Sequence, residues 1–388
     1  MLKTKDRATL WVILASATLT VMAGAIIAPV LSLMGEGLGV DPGSARILIT
    51  THSLFVVLFS PFFGVLIDRI GPKKPLIIGL AVFGISGGTG LFINDYWLLL
   101  ISRALLGIGV AAIFTSITVL IFNLYKQGAE RNKVMGYRAS SQSIGGVAWP
   151  LLGGFLGTYS WHYPFAIYFI GIPLCLLTML FIPTTLQELT NSTDEKQITV
   201  LSLLWSTPTL LILYGLVFLG MVFLYSLVVF LPQFLTRFDL TSPLHISLFI
   251  SGMGLVAGTV ALMYGKISEK LSKKSIISIV LILWAIGFAI LSRASTTWLV
   301  GLSITFFGAG QGMLMPTTQL WVGELVPASF RGRITSYLGS FGLLGQFLSP
   351  IILNPLASSL GLNNVFLVIG ATCGFLTLLF LVFFRQKR

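Results

Sequence analysis

Gly64 to Lys74 reads GVLIDRIGPKK, where a long apolar run turns on glycine and proline and sets one acid among basic residues. Asp68 and Arg69 close the hydrophobic stretch Ala45 to Ile67, so both charges belong at a membrane–water boundary. At a bilayer centre each would cost about 2.5 to 3.5 kcal/mol. The stretch recurs at an offset of 201 as GKISEKLSKK, Gly265 to Lys274. There Glu269 stands for Asp68, Lys270 for Arg69, Lys274 for Lys73, and Ser272 for the central glycine Gly71. The repeat persists along the chain: Gly107 and Gly109 answer Gly308 and Gly310, Arg131 answers Arg331, and Gly145 and Pro150 answer Gly345 and Pro350.

Composition limits what such a chain does. With 55% hydrophobic and 9% charged residues and a mean hydropathy of +0.95, it belongs with integral membrane proteins. A net charge of +12 would suit nucleic acid on a soluble basic face, but here it lies in short loops, and no nucleic-acid partner is expected. Cys175 and Cys373 both fall inside apolar runs, so neither a disulfide framework nor a metal site is expected. The chain shows no G-x-S-x-G elbow, Walker loop, H-E-x-x-H or Cys/His cluster. That excludes the common hydrolases and a nucleotide-driven pump; no catalytic residue and no cofactor are expected.

About twelve apolar segments follow one another, each near the length a helix needs to cross a bilayer. They run at 11–34, 45–67, 75–93, 97–125, 134–158, 162–183, 206–235, 243–268, 275–294, 296–324, 334–359 and 363–384. The basic start Lys3, Lys5, Arg7 with its apolar run has the look of a signal peptide, yet the run is too long and eleven more follow, so it reads as an uncleaved first helix. With the N-terminus in the cytoplasm, most of the 24 Lys and Arg fall on the inside, which places both termini there. The polar stretch TTLQELTNSTDEKQIT, Thr184 to Thr199, separates the halves. The expected organisation is therefore all-α: a six-helix bundle at 1–183, a cytoplasmic linker at 184–205 and a second bundle at 206–388, twelve transmembrane helices in two pseudo-symmetric halves.

The paired loops resemble the signature G-x-x-x-D-R/K-x-G-R/K-K of the major facilitator superfamily, found after the second helix and again, degraded, after the eighth. Gly64, Asp68, Arg69, Gly71, Lys73 and Lys74 match it in the first copy, with Pro72 where a basic residue is common, and Glu269 and Lys270 in the second. The resemblance implies two repeated bundles with substrate near the midplane. It also implies a cytoplasmic gate in which Asp68 meets the start of the eleventh helix. In the fifth helix, Gly136, Gly145, Trp149, Pro150, Gly153 and Gly154 follow G-x8-G-x3-G-P-x2-G-G, which resembles the signature of the drug:proton antiporters, with Trp149 in place of a glycine. Gly145 and Gly153 share a face with Trp149. Small residues let helices approach closely, and Gly254 and Gly258 on the eighth helix offer a matching face, so these surfaces are expected to seal against each other. A methyl at Gly153 is expected to be mild and a leucine disruptive.

Arg103, in the run SRALLGIG, resembles the family's R-x-x-x-G-x-G element, in which the arginine takes part in proton exchange; a structural tie to backbone carbonyls fits the same residue. The twelve acids all fall near helix ends, which leaves His52, two turns into the second helix, as the proton carrier. Its unperturbed pKa of about 6.5 suits that role, although a hydrogen-bonded core histidine fits the pattern too, and Glu36 is the alternative carrier. Polar and aromatic residues that would line a substrate cavity are Gln142, Tyr214, Tyr225, Gln233, Gln311, Gln319, Gln346 and Asn354. Such a lining suits lipophilic or cationic organic molecules. The expected activity is proton-coupled export of drugs by alternating access, driven by the proton gradient. The alternatives are export of one metabolite or sugar, and a membrane channel. The expected setting is a monomer, multi-pass in a bacterial cell membrane, with substrate, protons and lipid as partners.

Overall fold

The computed structural model describes residues 4–125, 129–183, 207–326 and 331–385. Among them the chain forms twelve successive helical segments and no strand. They are α1 (Thr4–Ala25, continued by the turn Ala28–Val30 and the short helix Leu31–Gly37), α2 (Pro42–Ile70), α3 (Lys73–Thr89), α4 (Tyr96–Leu124) and α5 (Ala129–Gly157). In α6 three pieces follow each other, Tyr163–Ala166, Ile167–Ile170 and Gly171–Phe181. The second set is α7 (Pro208–Leu235), α8 (Pro243–Lys270), α9 (Lys273–Ser292), α10 (Thr297–Leu325), α11 (Arg331–Leu360) and α12 (Leu362–Arg385). Ten of these are long and apolar enough to cross a membrane. The other two are α3, with 17 residues, and α5, whose first ten residues hold Glu130, Arg131, Lys133 and Arg138. The protein is a multi-pass membrane protein.

Helix ends are set by local chemistry. Asp41 caps α2 by accepting from the N–H groups of Gly43 and Ser44, with Pro42 in the first turn. Asp95 and Thr296, equivalent in the repeat, cap α4 and α10 by accepting from Leu98 and Leu299. Such caps satisfy N–H groups that have no partner within the helix. Trp97 and Trp298 follow these caps, 68% and 74% exposed, as expected of side chains at a headgroup boundary.

The chain divides into two compact units, Met1–Asn191 with Ser242–Leu248, and Ser192–Thr241 with Phe249–Arg388. The linker expected at 184–205 lies outside the described residues. In the first unit α4 packs on α2 and α3, α3 on α6, and α1 on α5. In the second, α9 packs on α10 and α12, and α7 on α11. The second unit's core is aromatic: Trp284 stacks on Phe307 at 5.5 Å, and Phe223, Phe288 and Phe366 meet the cluster edge-on or stacked.

Candidate functional site

The first unit buries two sequence-predicted residues at one helix crossing. A β-carbon at Gly107 on α4 would collide with the backbone carbonyl of His52 on α2. That absence of a side chain lets the helices touch there. His52 is 3% exposed and its Nδ1 lies 2.7 Å from the Ile49 carbonyl oxygen. A carbonyl only accepts, so Nδ1 carries the hydrogen and Nε2 is the basic nitrogen of the neutral ring. On the α1 side, a β-carbon at Gly24 would stand 2.9 Å from His52 Cε1.

One turn before Gly107, Arg103 is wholly buried. Its Nη2 donates to the Gly87 carbonyl at 3.0 Å and to Ser102 Oγ at 3.2 Å. The guanidinium lies over the rings of Phe165 and Tyr168, each centroid 4.9 Å away, a placement that favours a desolvated cation. Nε and Nη1 are buried without a hydrogen-bond partner, and among the described residues Arg103 has no ion pair. Tyr168 in turn donates its hydroxyl to the Ala23 carbonyl at 2.7 Å, which ties α6 to the last turn of α1. Glu36, the alternative carrier, is exposed on the short helix that continues α1.

The glycines of α5 meet a different partner from the one expected. A β-carbon at Gly153 would fall on the carbonyl oxygen of Ile26, and one at Gly145 would stand 3.3 Å from Thr18 Cβ, so these two glycines face α1. The obstacle at Gly153 is backbone, which cannot rotate away as a side chain can, so even a methyl is disruptive and the expected mildness of Gly153→Ala is overturned. Trp149 lies against Gly145 and donates from Nε1 to the Thr18 carbonyl at 3.2 Å. Gly154 faces the start of α8, where a β-carbon would meet Ser247 and the Pro243 carbonyl. Pro150 is buried within α5, and Gln142 donates from Nε2 to Thr20 Oγ1 at 3.0 Å.

The remaining expected residues scatter along both units. Gly64 is half-buried and Asp68 and Arg69 exposed at the end of α2. Gly71 ends the helix with φ 79° and ψ 163°, its N–H donating to Ile67, and Lys73 Nζ donates to the Met179 carbonyl at the end of α6, 2.9 Å away. The expected meeting of Asp68 with the start of α11 involves side chains outside the described residues. In the second unit Glu269 and Lys270 are exposed. Tyr214 is buried with its ring edge-on to Phe341, and Gln346 is buried as well. Tyr225, Gln311 and Asn354 are half-buried, Gln311 Oε1 without a hydrogen-bond partner, while Gln233 and Gln319 are exposed.

Sequence reasoning missed Tyr168, Phe165, Gly24 and Arg138. Nothing local marks the first three, because their role lies in contacts with helices far along the chain. Arg138 did carry a signal: a charge nine residues into a helix, or about 13 Å at 1.5 Å per residue.

The comparisons agree with this architecture. The sequence matches the family described as Major Facilitator Superfamily over residues 13–260 and 239–388. It is 29% identical over 369 residues to a multidrug resistance protein MdtG of Enterobacter lignolyticus (strain SCF1), covering 90% of this chain and 86% of that one. It is 26% identical to the class B tetracycline resistance protein of Escherichia coli, covering 79% and 78%. To the bacillibactin exporter of Bacillus subtilis (strain 168) it is 27% identical, covering 94% and 92%. Among solved structures, the D-xylose-proton symporter superposes with a TM-score of 0.80 at 16% identity, covering 96% of this chain and 97% of that one, a likeness of fold. With the repeat, the paired loops and the two helical units, these matches give one conclusion: the chain belongs to the Major Facilitator Superfamily and is a transporter.

Proposed function

We propose that the protein exports small lipophilic organic compounds, drugs among them, in exchange for protons by alternating access. The observation that carries this is the buried His52–Arg103 pair at the α2–α4 crossing. The relatives named for multidrug and tetracycline resistance support the substrate class. Nε2 of His52 takes the proton. Helix α2 meets α4 at the backbone of His52 itself, so a movement of one against the other changes the surroundings of its ring. Glu36 is the second candidate carrier. Of the lipophilic or cationic compounds expected, the lipophilic are retained: the buried charged side chains of the described helices are Arg46, Arg103 and Arg138, all cations.

In this reading Gly64, Asp68, Arg69, Gly71, Lys73, Glu269 and Lys270 form the cytoplasmic gate, and Pro150 and Gly154 belong to the outer one, with Gly145 and Gly153 holding α5 against α1. Gln142, Tyr214, Tyr225, Gln233, Gln311, Gln319, Gln346 and Asn354 offer the polar and aromatic lining. The protein works as a monomer in the bilayer, both termini cytoplasmic, with the proton gradient as its only drive. The relative named for bacillibactin supports a narrower second reading, export of one metabolite.

The test is proton-driven uptake of fluorescent lipophilic dyes, one neutral and one anionic, into inverted vesicles. His52→Ala is expected to abolish the pH dependence and to leave dye binding intact. Arg103→Ala should weaken both, and Arg103→Lys should not restore them, since an ammonium lacks the planar fork. Unchanged pH dependence in His52→Ala would defeat the role of His52; no dye movement in the wild type, with binding absent as well, would defeat the exporter reading.

A further inference from the structure

Arg138 on α5 has a different environment from Arg103. Its side chain is 6% exposed, Nη1 donates to Thr118 Oγ1 at 2.8 Å, and the guanidinium lies over the Phe114 ring, 4.9 Å from its centroid. Among the described residues it has no ion pair. Arg103 has Nε and Nη1 sealed away without partners; Arg138 spends one nitrogen on Thr118, and among the described residues no other acceptor is found for its fork. One turn on, Gln142 extends the same stripe of α5 and reaches Thr20 on α1. Tyr137, Ile144, Leu152 and Phe155, all exposed, lie on a different stripe of α5.

Packing does not require the charge. At the equivalent position of the repeat, 200 residues on, the second half has Leu338, 1% exposed, so a plain apolar side chain serves the same place in the helix. A guanidinium buried in a membrane protein is costly unless it faces protein or water and finds an acceptor. Thr118 supplies one neutral acceptor for a group with five N–H donors.

We infer that Arg138, with Gln142 beside it, is a subsite for the acidic group of the transported compound, so that the preferred substrates are lipophilic organic acids. A carboxylate or phenolate would accept from the unoccupied edge of the fork, bidentate in the carboxylate case, and Gln142 would receive the neighbouring polar atoms. The apolar remainder of the molecule needs no fixed partner. This rests on the exporter reading above and narrows its substrate class.

The probes are 1-pyrenebutyric acid and its methyl ester, which differ in one negative charge at neutral pH. Binding to the purified full chain in detergent, read by pyrene fluorescence, does not depend on any transport direction. The wild type is expected to bind the acid at least tenfold more tightly than the ester. Arg138→Gln should bring the two within about twofold by weakening the acid alone, and Arg138→Lys should keep part of the preference. No preference in the wild type overturns the inference, even if Arg138→Gln fails to fold, and so does a preference that survives in a folded Arg138→Gln. A clear acid preference in detergent, lost in Arg138→Gln, supports the subsite even if vesicle export fails; in that case it is the exporter reading that falls.

Discussion

At one helix crossing the two halves use the same packing and opposite chemistry. In the first, Gly107 lets α4 rest on the backbone of His52, with Arg103 one turn away; in the second, a β-carbon at Gly308 would stand 2.8 Å from the carbonyl of Met253, and Ile304 takes the place of Arg103. Val256 beside Gly308 answers Phe55 beside Gly107. The glycine contact is therefore a property of the fold, since both halves keep it. The polar pair is an addition made in one half, and each buried member costs stability that Met253 and Ile304, both 5% exposed, do not. A burden carried by only one copy of a repeat marks function more sharply than a buried charge alone.

The largest effect expected from disturbing this comparison is at Gly153. The second half has Leu353 at the equivalent place, but Gly153 faces the Ile26 carbonyl. Copying the second half with Gly153→Leu, or adding only a methyl with Gly153→Ala, should abolish the yield of monodisperse protein on size exclusion. Gly136→Ala on the same helix, with nothing within 4 Å of its β-carbon position, is the control. Normal yield of Gly153→Ala would mean the α1–α5 approach is looser than described.

Next is the exchange that makes the first half chemically like the second, His52→Met with Arg103→Ile. The double variant should fold at least as stably as the wild type, because apolar groups replacing buried polar ones are often neutral or stabilising. Its transport should lose pH dependence. Retained coupling would show that the asymmetry between the halves is not where the proton acts.

The loops give a smaller contrast. Gly71 turns the chain with a positive φ that side chains resist, whereas Ser272 has φ −68° and caps α9 by accepting from Ser275. Gly71→Ala should destabilise by about 1 to 3 kcal/mol, and Ser272→Ala by about 1 kcal/mol through the lost cap, both read as denaturation midpoints. Near Ser272 the ion pair of Lys273 with Glu324 is partly exposed, so Glu324→Gln should cost less than about 1 kcal/mol. Equal effects at Gly71 and Ser272 would erase the distinction between the two turns.

The smallest effect is in the caps. The Ser44 hydroxyl, and then the Ser44 N–H, hold the Asp41 carboxyl below its usual range. The equivalent residue in the second half is Ser242, which does not titrate. Asp41 contributes stability above its unfolded value of about 3.9 and loses it as pH falls through the lower folded value. Asp41→Ser should therefore flatten a slight fall in midpoint between about pH 5 and pH 3.

Much of this was legible in the sequence, for identifiable reasons. Hydropathy and the offset of 201 gave the helices and their pairing, because burial in lipid leaves a run of apolar residues that no distant contact needs to explain. His52 and Arg103 stood out since a polar group in such a run is costly. What stayed hidden was which helix each small residue serves. Gly145 and Gly153 read as a surface for α8, yet they meet α1, because a glycine shows that something comes close and not what does. Tyr168 was invisible for the same reason: its hydroxyl is used on a carbonyl 145 residues away.

The break in α1 gathers several of these contacts into four residues. Ala23 receives Tyr168, Gly24 faces His52, and Ile26 presents its carbonyl to Gly153. In evolutionary terms this makes the segment a set of linked choices rather than free positions. Among relatives that share the break, a residue larger than glycine at position 24 should occur only with something smaller than histidine at 52, phenylalanine at 168 only where the carbonyl of residue 23 finds another donor, and position 153 should stay glycine throughout. The chain is thus least free to drift at a place that no charge or motif marks.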